Sequence, residues 1–161
     1  MPLKKTNVMR LLDSAGIAYE FYEYDVSDGH LDAVSVARKI GRKPEQVFKT
    51  LVTRGAARDH FVFAVPGGLE LDMKRAAVAA GCKSVEMLPL KELLPLTGYV
   101  HGGGSPVGMK KNFPTFIDET ALLYDSICVS AGKVGLNVCL NPEELARFTG
   151  ASFVPLTKDK D

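Results

Sequence analysis

The stretch Gln46-Val47-Phe48-Lys49-Thr50-Leu51-Val52-Thr53 constrains this chain more than any other. Its β-branched and aromatic content reads as a strand. Side chains alternate between strand faces with a period of two, so Val47, Lys49 and Leu51 share one face and Phe48, Thr50 and Val52 the other. Both faces are largely apolar, which places the strand inside a fold, covered on both sides. Any such fold must accommodate Lys49, because desolvating an ammonium is costly and lysine is almost never fully buried unless paired. Either the lysine lies at an edge and snorkels to water, or it faces a cavity in which its charge has a use.

A chain of 161 residues can close one sizeable core around that strand. We expect a single domain over residues 1–161, with an ordered core from about 6 to 156 and a flexible tail at Thr157-Lys158-Asp159-Lys160-Asp161. Hydrophobic residues at 46% and charged residues at 24% fit a globular protein rather than a disordered or membrane one. The net charge of +1 names no partner, so any nucleic acid must be held by a local patch. Cys82, Cys128 and Cys139 form no CxxC pair and no zinc pattern. Cys128 and Cys139 fall on neighbouring strands and are able to pair, but the expectation is three reduced thiols in a cytoplasmic protein. The start Met-Pro-Leu-Lys-Lys-Thr has no apolar signal segment, and no apolar run approaches membrane-spanning length, so no membrane association is expected.

Along the chain, Thr6 caps a first helix that stops at Gly16, and a strand follows over Tyr19–Tyr24 with Tyr22 and Tyr24 on one face. Asp25–His30 is a polar loop. A helix over Asp32–Ile40 ends in the basic group Arg38, Lys39, Arg42 and Lys43, which suits a helix C-terminus and is also available to phosphates. After the Lys49 strand come a turn at Arg54–Asp59, a strand at His60–Val65, a Pro66-Gly67-Gly68 break and a short strand around Leu69–Leu71. Asp72 caps a helix to Ala80, Ser84–Met87 is a strand, and Pro89 opens a short helix ending before Pro95. Strands at Pro114–Ile117, Ser126–Ser130 and Leu136–Leu140 follow, with Ala131-Gly132-Lys133 as a turn. Asn141-Pro142-Glu143-Glu144 is a capped helix start, and Ala151–Val154 is a last strand. About seven or eight strands and four or five helices, in no regular βαβ alternation, predict an α+β fold with a curved mixed sheet.

Thr97-Gly98-Tyr99-Val100-His101-Gly102-Gly103-Gly104-Ser105-Pro106-Val107-Gly108 is too flexible for a strand interior. It is either a plain loop or a nest whose backbone N–H groups polarise a carbonyl or hold an anion. It is not a phosphate-binding GxxxxGK[ST], since Lys110 has neither the spacing nor the following hydroxyl.

Six motifs now stand in order: Phe48-Lys49-Thr50-Leu51, Leu71-Asp72-Met73-Lys74, Ser84-Val85-Glu86-Met87, Thr97-Gly98-Tyr99, Gly102 to Lys111, and Val129-Ser130-Ala131-Gly132-Lys133. Together, from about Val8 to Val154, they resemble the Cys-tRNA(Pro) deacylase family (YbaK/EbsC), related to the editing domain of bacterial prolyl-tRNA synthetases. The resemblance implies a single α/β domain built on a strongly curved, barrel-like mixed sheet flanked by helices. It implies removal of a wrong amino acid, foremost cysteine, from the 3′ end of tRNA(Pro). It implies tRNA and prolyl-tRNA synthetase as partners, with oligomeric state open between monomer and weak dimer, and no cofactor or metal.

On this resemblance Lys49 is the residue most tied to function, with Gly102, Gly103 and Gly104 as backbone donors to the ester carbonyl. Tyr24 and Ser130 match pocket-lining positions; Thr50, Ser105, Pro106 and Asn137 complete the candidate substrate contacts, although Thr50 lies on the strand face opposite Lys49. Arg38, Lys39, Arg42, Lys43, Lys110 and Lys111 are candidate tRNA phosphate contacts. No Cys/His or Ser/His/Asp constellation supplies a nucleophile, and His101 reads as incidental. The family is thought to let the cysteinyl thiol attack its own carbonyl. Two positions depart from the family pattern: Val134 stands where an arginine is usual and Asn137 where an acid is usual, which leaves the preferred aminoacyl group open among Cys, Ala, Pro and Ser. Other readings are Schiff-base chemistry at Lys49 and a non-catalytic module that binds an aminoacylated or adenosine-bearing ligand.

Overall fold

A computed structural model describes residues 4–56 and 59–158. The expected turn at Arg54–Asp59 lies partly outside these residues, as do the first three residues and the last three of the expected tail. The elements are α1 (Asn7–Ser14), β1 (Glu20–Glu23), α2 (Ala33–Ile40), β2 (Phe48–Arg54), β3 (His60–Pro66), α3 (Met73–Ala80), β4 (Glu86–Met87), α4 (Leu90–Thr97), β5 (Thr115–Asp118), β6 (Ile127–Lys133), β7 (Leu136–Leu140), α5 (Pro142–Thr149) and β8 (Ser152–Val154). Short 3₁₀ turns occupy Pro44–Gln46 and Glu119–Leu123. None of the described helices is long and apolar enough to cross a membrane.

The helices begin and end where local chemistry dictates. Asn141 Oδ1 accepts from the Glu144 N–H at 3.0 Å, Pro142 takes the first helical position, and the acids Glu143 and Glu144 sit at the positive end of α5. Asp72 accepts from the N–H groups of Lys74 and Arg75 at the head of α3. At the tail of α2, Gly41 adopts a φ of 74°.

The strands form a mixed α/β domain, but the single barrel-like sheet expected from the sequence is not what they make. β1-β7-β6 is one antiparallel sheet and β4-β2-β3-β5-β8 is a second, mixed one. In the second, β2 pairs antiparallel with β3 and β4, while β3-β5 and β5-β8 are parallel. Neither sheet is closed, and among the described residues one parallel bridge, Val47 to Cys128, links their backbones. β3 is buried on both faces: Phe61, Phe63 and Val65 pack with Ala76 of α3, while Ala64 joins α1, β6, β7 and α5 in the main core. At the end of β5 the buried Asp118 accepts from Leu156 N–H at 2.9 Å and from Thr120, tying the chain after β8 to the sheet.

Several local expectations change. α4 runs through Pro95 to Thr97, because the proline forfeits one bond while Gly98 N–H to Leu94 O (2.9 Å) and Thr97 Oγ1 to Leu93 O (2.8 Å) close the last turn. Ala131-Gly132-Lys133 is not a turn but an irregular continuation of β6, with the register shift between Ser130 and Lys133; Ser130 Oγ accepts from Gly132 N–H at 3.1 Å. Chain reversal falls on Val134-Gly135 instead. The short strand at Leu69–Leu71 shrinks to one bridge, Leu71 to Thr157. That bridge and the Lys158–Glu70 contacts order two residues expected in the flexible tail. Finally, Cys128 and Cys139 form a disulfide rather than two thiols: the β6-β7 register sets them directly opposite each other, with Cα atoms 4.0 Å apart, leaving Cys82 as the free cysteine.

Candidate active site

The β2 strand borders a cavity of about 380 Å3. Its walls come from the Tyr24 and Leu31–Ala33 ends of the loop before α2, from Val36, from Val47–Val52, from Gly67, from Met87, Leu88, Leu90 and Leu93, from the glycine loop, and from Ser130 and Asn137 on β6 and β7. Seven of the sequence-predicted site residues line it together: Tyr24, Lys49, Thr50, Gly102, Gly104, Ser130 and Asn137.

Lys49 is half-buried there, and its ammonium makes no hydrogen bond or ion pair to any described residue. It resolves the choice left by the sequence in favour of a cavity-lining cation. Thr50 lies on the other strand face, yet it borders the same space, and its buried Oγ1 has no hydrogen-bond partner. Ser130 and Asn137 oppose each other across β6-β7, two residues along from the Cys128–Cys139 pair, so all four side chains share one sheet face. Asn137 is 5% exposed and its amide makes no hydrogen bond within the described residues. Tyr24 packs beside Val36, Ala37 and Cys139 on that same side.

Close backbone approach shapes one corner. A Cβ on Gly67 would meet Ala33 Cβ at 1.8 Å, so only glycine allows the exit of β3 to lie against the first turn of α2. Gly67 N–H donates to Val47 O at 2.8 Å, which fastens this corner to the start of β2.

The glycine loop is ordered rather than slack, and its three glycines are not equivalent. Gly103 N–H donates to Val100 O at 3.0 Å, and Gly103 is buried against the Lys133-Val134 backbone outside the cavity lining. Its donor is therefore occupied within the loop, unlike those of its two glycine neighbours. Gly102, at φ 85°, and Gly104 both line the cavity, and their N–H groups have no acceptor among the described residues. Ser105 and Pro106 are buried and do not line the cavity; Ser105 Oγ accepts from Val107 N–H at 3.2 Å, a bond that shapes the loop. Tyr99 anchors the loop by donating to Val107 O at 2.5 Å, and burial pushes its phenol pKa upward.

The six basic candidates separate. Lys39 Nζ donates to Asp25 O, Asp28 Oδ1 and His30 O at 2.7, 2.8 and 2.9 Å. Arg42 stacks over the Tyr22 ring at 5.4 Å and bonds Tyr22 Oη and Ser126 Oγ. Lys110 lies along Gly98 and reaches Pro95 O at 3.5 Å. These three are engaged within the fold. Arg38, Lys43 and Lys111 are exposed, with no such partner among the described residues.

Some of the site was not foreseen. His101, read as incidental, borders the cavity. So do Leu31, Met87, Leu88, Leu90, Leu93 and Met109, which make much of its apolar wall. Only the partial exposure of Leu31, Met87 and Leu90 distinguishes these from core residues, and exposure is not written in the residue types. No group of three His, Cys, Asp or Glu among the described residues is placed to hold a metal ion.

Comparison with known proteins matches residues 29–148 to the aminoacyl-tRNA editing domain. A protein of Enterococcus faecalis (strain ATCC 700802 / V583), provisionally named Cys-tRNA(Pro)/Cys-tRNA(Cys) deacylase EbsC, is 46% identical over 154 residues, covering 96% of this chain and 94% of its own. An uncharacterized Bacillus subtilis (strain 168) protein, YwhH, is 25% identical over 85% of this chain and 89% of its own. Among solved structures, one described provisionally as a trans-editing enzyme for prolyl tRNA synthetase superposes with a TM-score of 0.84 at 26% identity, covering 97% of this chain and 100% of that one.

Proposed function

The chain belongs to the aminoacyl-tRNA editing domain family, and from that premise we propose that it is a trans-editing deacylase that clears mischarged tRNA(Pro), with the cysteinyl ester as its main substrate. Near-full-length similarity to a relative named for Cys-tRNA(Pro)/Cys-tRNA(Cys) deacylation supports the activity and the choice of ester. One observation carries the chemistry: the Lys49 ammonium shares a cavity with two backbone donors, at Gly102 and Gly104, and none of the three has a hydrogen-bond partner among the described residues. An ester carbonyl needs polarisation as it becomes tetrahedral, and fixed N–H donors in a partly dry cavity provide it.

In this reading the aminoacyl group enters between β2 and the Ser130–Asn137 pair, and its carbonyl oxygen meets the Gly102 and Gly104 N–H groups. Lys49 balances the terminal phosphate or the developing oxyanion. The cysteinyl sulfur attacks the carbonyl carbon of its own ester; a C–S bond forms, the C–O bond to the ribose breaks, and the thiol proton leaves with the ribose oxygen. The products are a cyclic thiolactone and free tRNA. Such a reaction asks for orientation and oxyanion stabilisation, which this cavity can supply, and for no nucleophile from the protein. Thr50 Oγ1 and the Asn137 amide are neutral partners for the α-amino group.

The tRNA body is held by few groups. Arg38, Lys43 and Lys111 remain as phosphate contacts, and a net charge of +1 adds little. Action beside prolyl-tRNA synthetase, in the cytoplasm, compensates for that weak intrinsic hold.

The test is deacylation of Cys-tRNA(Pro), Ala-tRNA(Pro) and correctly charged Pro-tRNA(Pro), with Lys49→Ala as control. Rapid loss of the cysteinyl ester that disappears in the variant is the expected result. If no ester turns over faster than in buffer, with prolyl-tRNA synthetase present, the protein is a binder of aminoacylated ligands and not an enzyme.

A further inference from the structure

Tyr24 and Leu31 both border the cavity, and the segment between them is exposed over residues 25–31. Most of the segment's bonds are internal: Asp25 Oδ1 accepts from Ser27, Asp28 Oδ1 from His30 N–H, and Val26 O from Gly29 N–H. Such local turns shape a loop without fixing it to the body. Among the described residues, one side chain outside the segment bonds to it, and that is Lys39. Lys39 projects from the last turn of α2, with its side chain 19% exposed. An ammonium has three donors, and here each meets one oxygen, two of them backbone carbonyls from opposite ends of the loop.

We propose that Lys39 is a positioning residue for the aminoacyl cavity, clamping the Asp25–Leu31 loop so that Tyr24 and Leu31 stand at fixed places on its wall, and that it is not a phosphate contact. The proposal rests on the deacylase reading for its kinetic consequence, but the clamp itself is a property of the free protein. Two facts set Lys39 apart from a phosphate site. Its donors are already engaged. Its surroundings are also anionic, since Asp28 pairs with it directly and Asp25 and Asp32 lie at the two ends of the loop, so an approaching phosphate meets carboxylates as well as the ammonium.

The experiment compares wild type with Lys39→Met, Lys39→Arg and Asp28→Asn on two substrates: full-length Cys-tRNA(Pro) and the cysteinyl ester of the trinucleotide CCA, which lacks the tRNA body. Amide exchange over residues 25–31 is followed in parallel, without substrate. A clamp predicts faster exchange in Lys39→Met and Asp28→Asn. It also predicts that kcat/KM falls at least about tenfold by equal factors on both substrates, as displaced substrate-positioning groups do, with recovery in Lys39→Arg. Asp28→Asn is the companion variant, because it removes the ion pair from the clamp while leaving both carbonyl bonds and every cation in place, so its losses are smaller than those of Lys39→Met. If Lys39→Met loses activity only on full-length tRNA, Lys39 is a phosphate contact and the proposal fails. Unchanged loop exchange in both variants overturns it even if neither substrate is turned over by wild type, an outcome that separately sinks the deacylase reading.

Discussion

The hydroxyl of Tyr99 donates to the carbonyl of Val107, and with the Lys110 N–H to Thr97 O bond it closes the chain segment that presents Gly102 and Gly104 to the cavity. Tyr99 is 9% exposed and Val107 is fully buried, so neither group has water as a substitute. Tyr99→Phe keeps the ring and leaves a buried carbonyl without its donor, a loss of about 1–3 kcal/mol. The expected outcome is a lowered thermal midpoint and a fall in deacylation kcat with KM nearly unchanged, because the loosened loop costs oxyanion stabilisation more than binding. A variant with wild-type kcat would dissociate the Tyr99 bond from the glycine donors.

Lys49 behaves differently, because its ammonium makes no hydrogen bond or ion pair with the described residues. Lys49→Ala is expected to lower kcat/KM by about 100-fold or more, the scale on which loss of one group that stabilises the oxyanion is felt. Lys49→Met is expected to match that loss while raising the thermal midpoint slightly, since an unpaired, partly desolvated cation is replaced by an apolar chain of similar length. Melting curves recorded beside initial rates separate the two effects. A marked drop in the midpoint of Lys49→Met would show that Lys49 supports the fold.

The contact between Gly67 and Ala33 predicts a reciprocal pair of substitutions. Gly67→Ala forces a methyl into 1.8 Å of Ala33 Cβ, and overpacking of this kind costs about 1–3 kcal/mol. Ala33→Gly removes the obstacle at a propensity cost of at most about 1 kcal/mol at the head of α2. The double variant should therefore melt above Gly67→Ala alone, which denaturation of all four forms of the cycle will read.

The clamp on the Asp25–Leu31 loop carries its own pH dependence. The Lys39 ammonium, and next the His30 N–H, hold the Asp28 carboxyl below the ordinary aspartate range. A carboxyl whose pKa is lowered on folding adds stability that is complete above its unfolded value, near pH 3.9, and is lost as the pH falls through the lower folded value. The ion-pair part of the clamp is thus intact at neutral pH and is lost only in acid, while the two carbonyl bonds do not depend on the Asp28 charge. An NMR titration of the loop amides should show a midpoint below that of a free aspartate; a midpoint at or above it would remove the ion pair from the account.

Much of the architecture was legible because it rests on local chemistry. Asn141-Pro142 announces α5, Asp72 announces α3, and the two-faced apolar pattern of Val47–Val52 announces a buried strand. The cavity residues Lys49, Tyr24, Ser130 and Asn137 were legible through the order of motifs rather than through any one of them. What stayed hidden depends on register and dihedral angles. Period-two alternation says that Cys128 and Cys139 can share a face, but not that they stand opposite each other. Three consecutive glycines look alike in sequence, yet the turn to Val100 O takes the donor of the middle one. The basic run ending α2 reads as a phosphate patch until the loop carbonyls of Asp25 and His30 are seen to surround Lys39.

The Val47–Cys128 bridge is where the β1-β7-β6 sheet meets the β4-β2-β3-β5-β8 sheet, and the cavity draws its walls from both. Both sheets also pack into one core, where Phe48 and Ala64 join Ile127, Val129 and Val138, so the cavity is spanned by a single braced frame and not by two free plates. A space braced in this way holds its width, and that width is expected to help separate aminoacyl groups that differ by an atom or two. Val47→Ala, at the bridge and on the cavity wall, should broaden the range of esters accepted, and competition between cysteinyl and prolyl esters would show it.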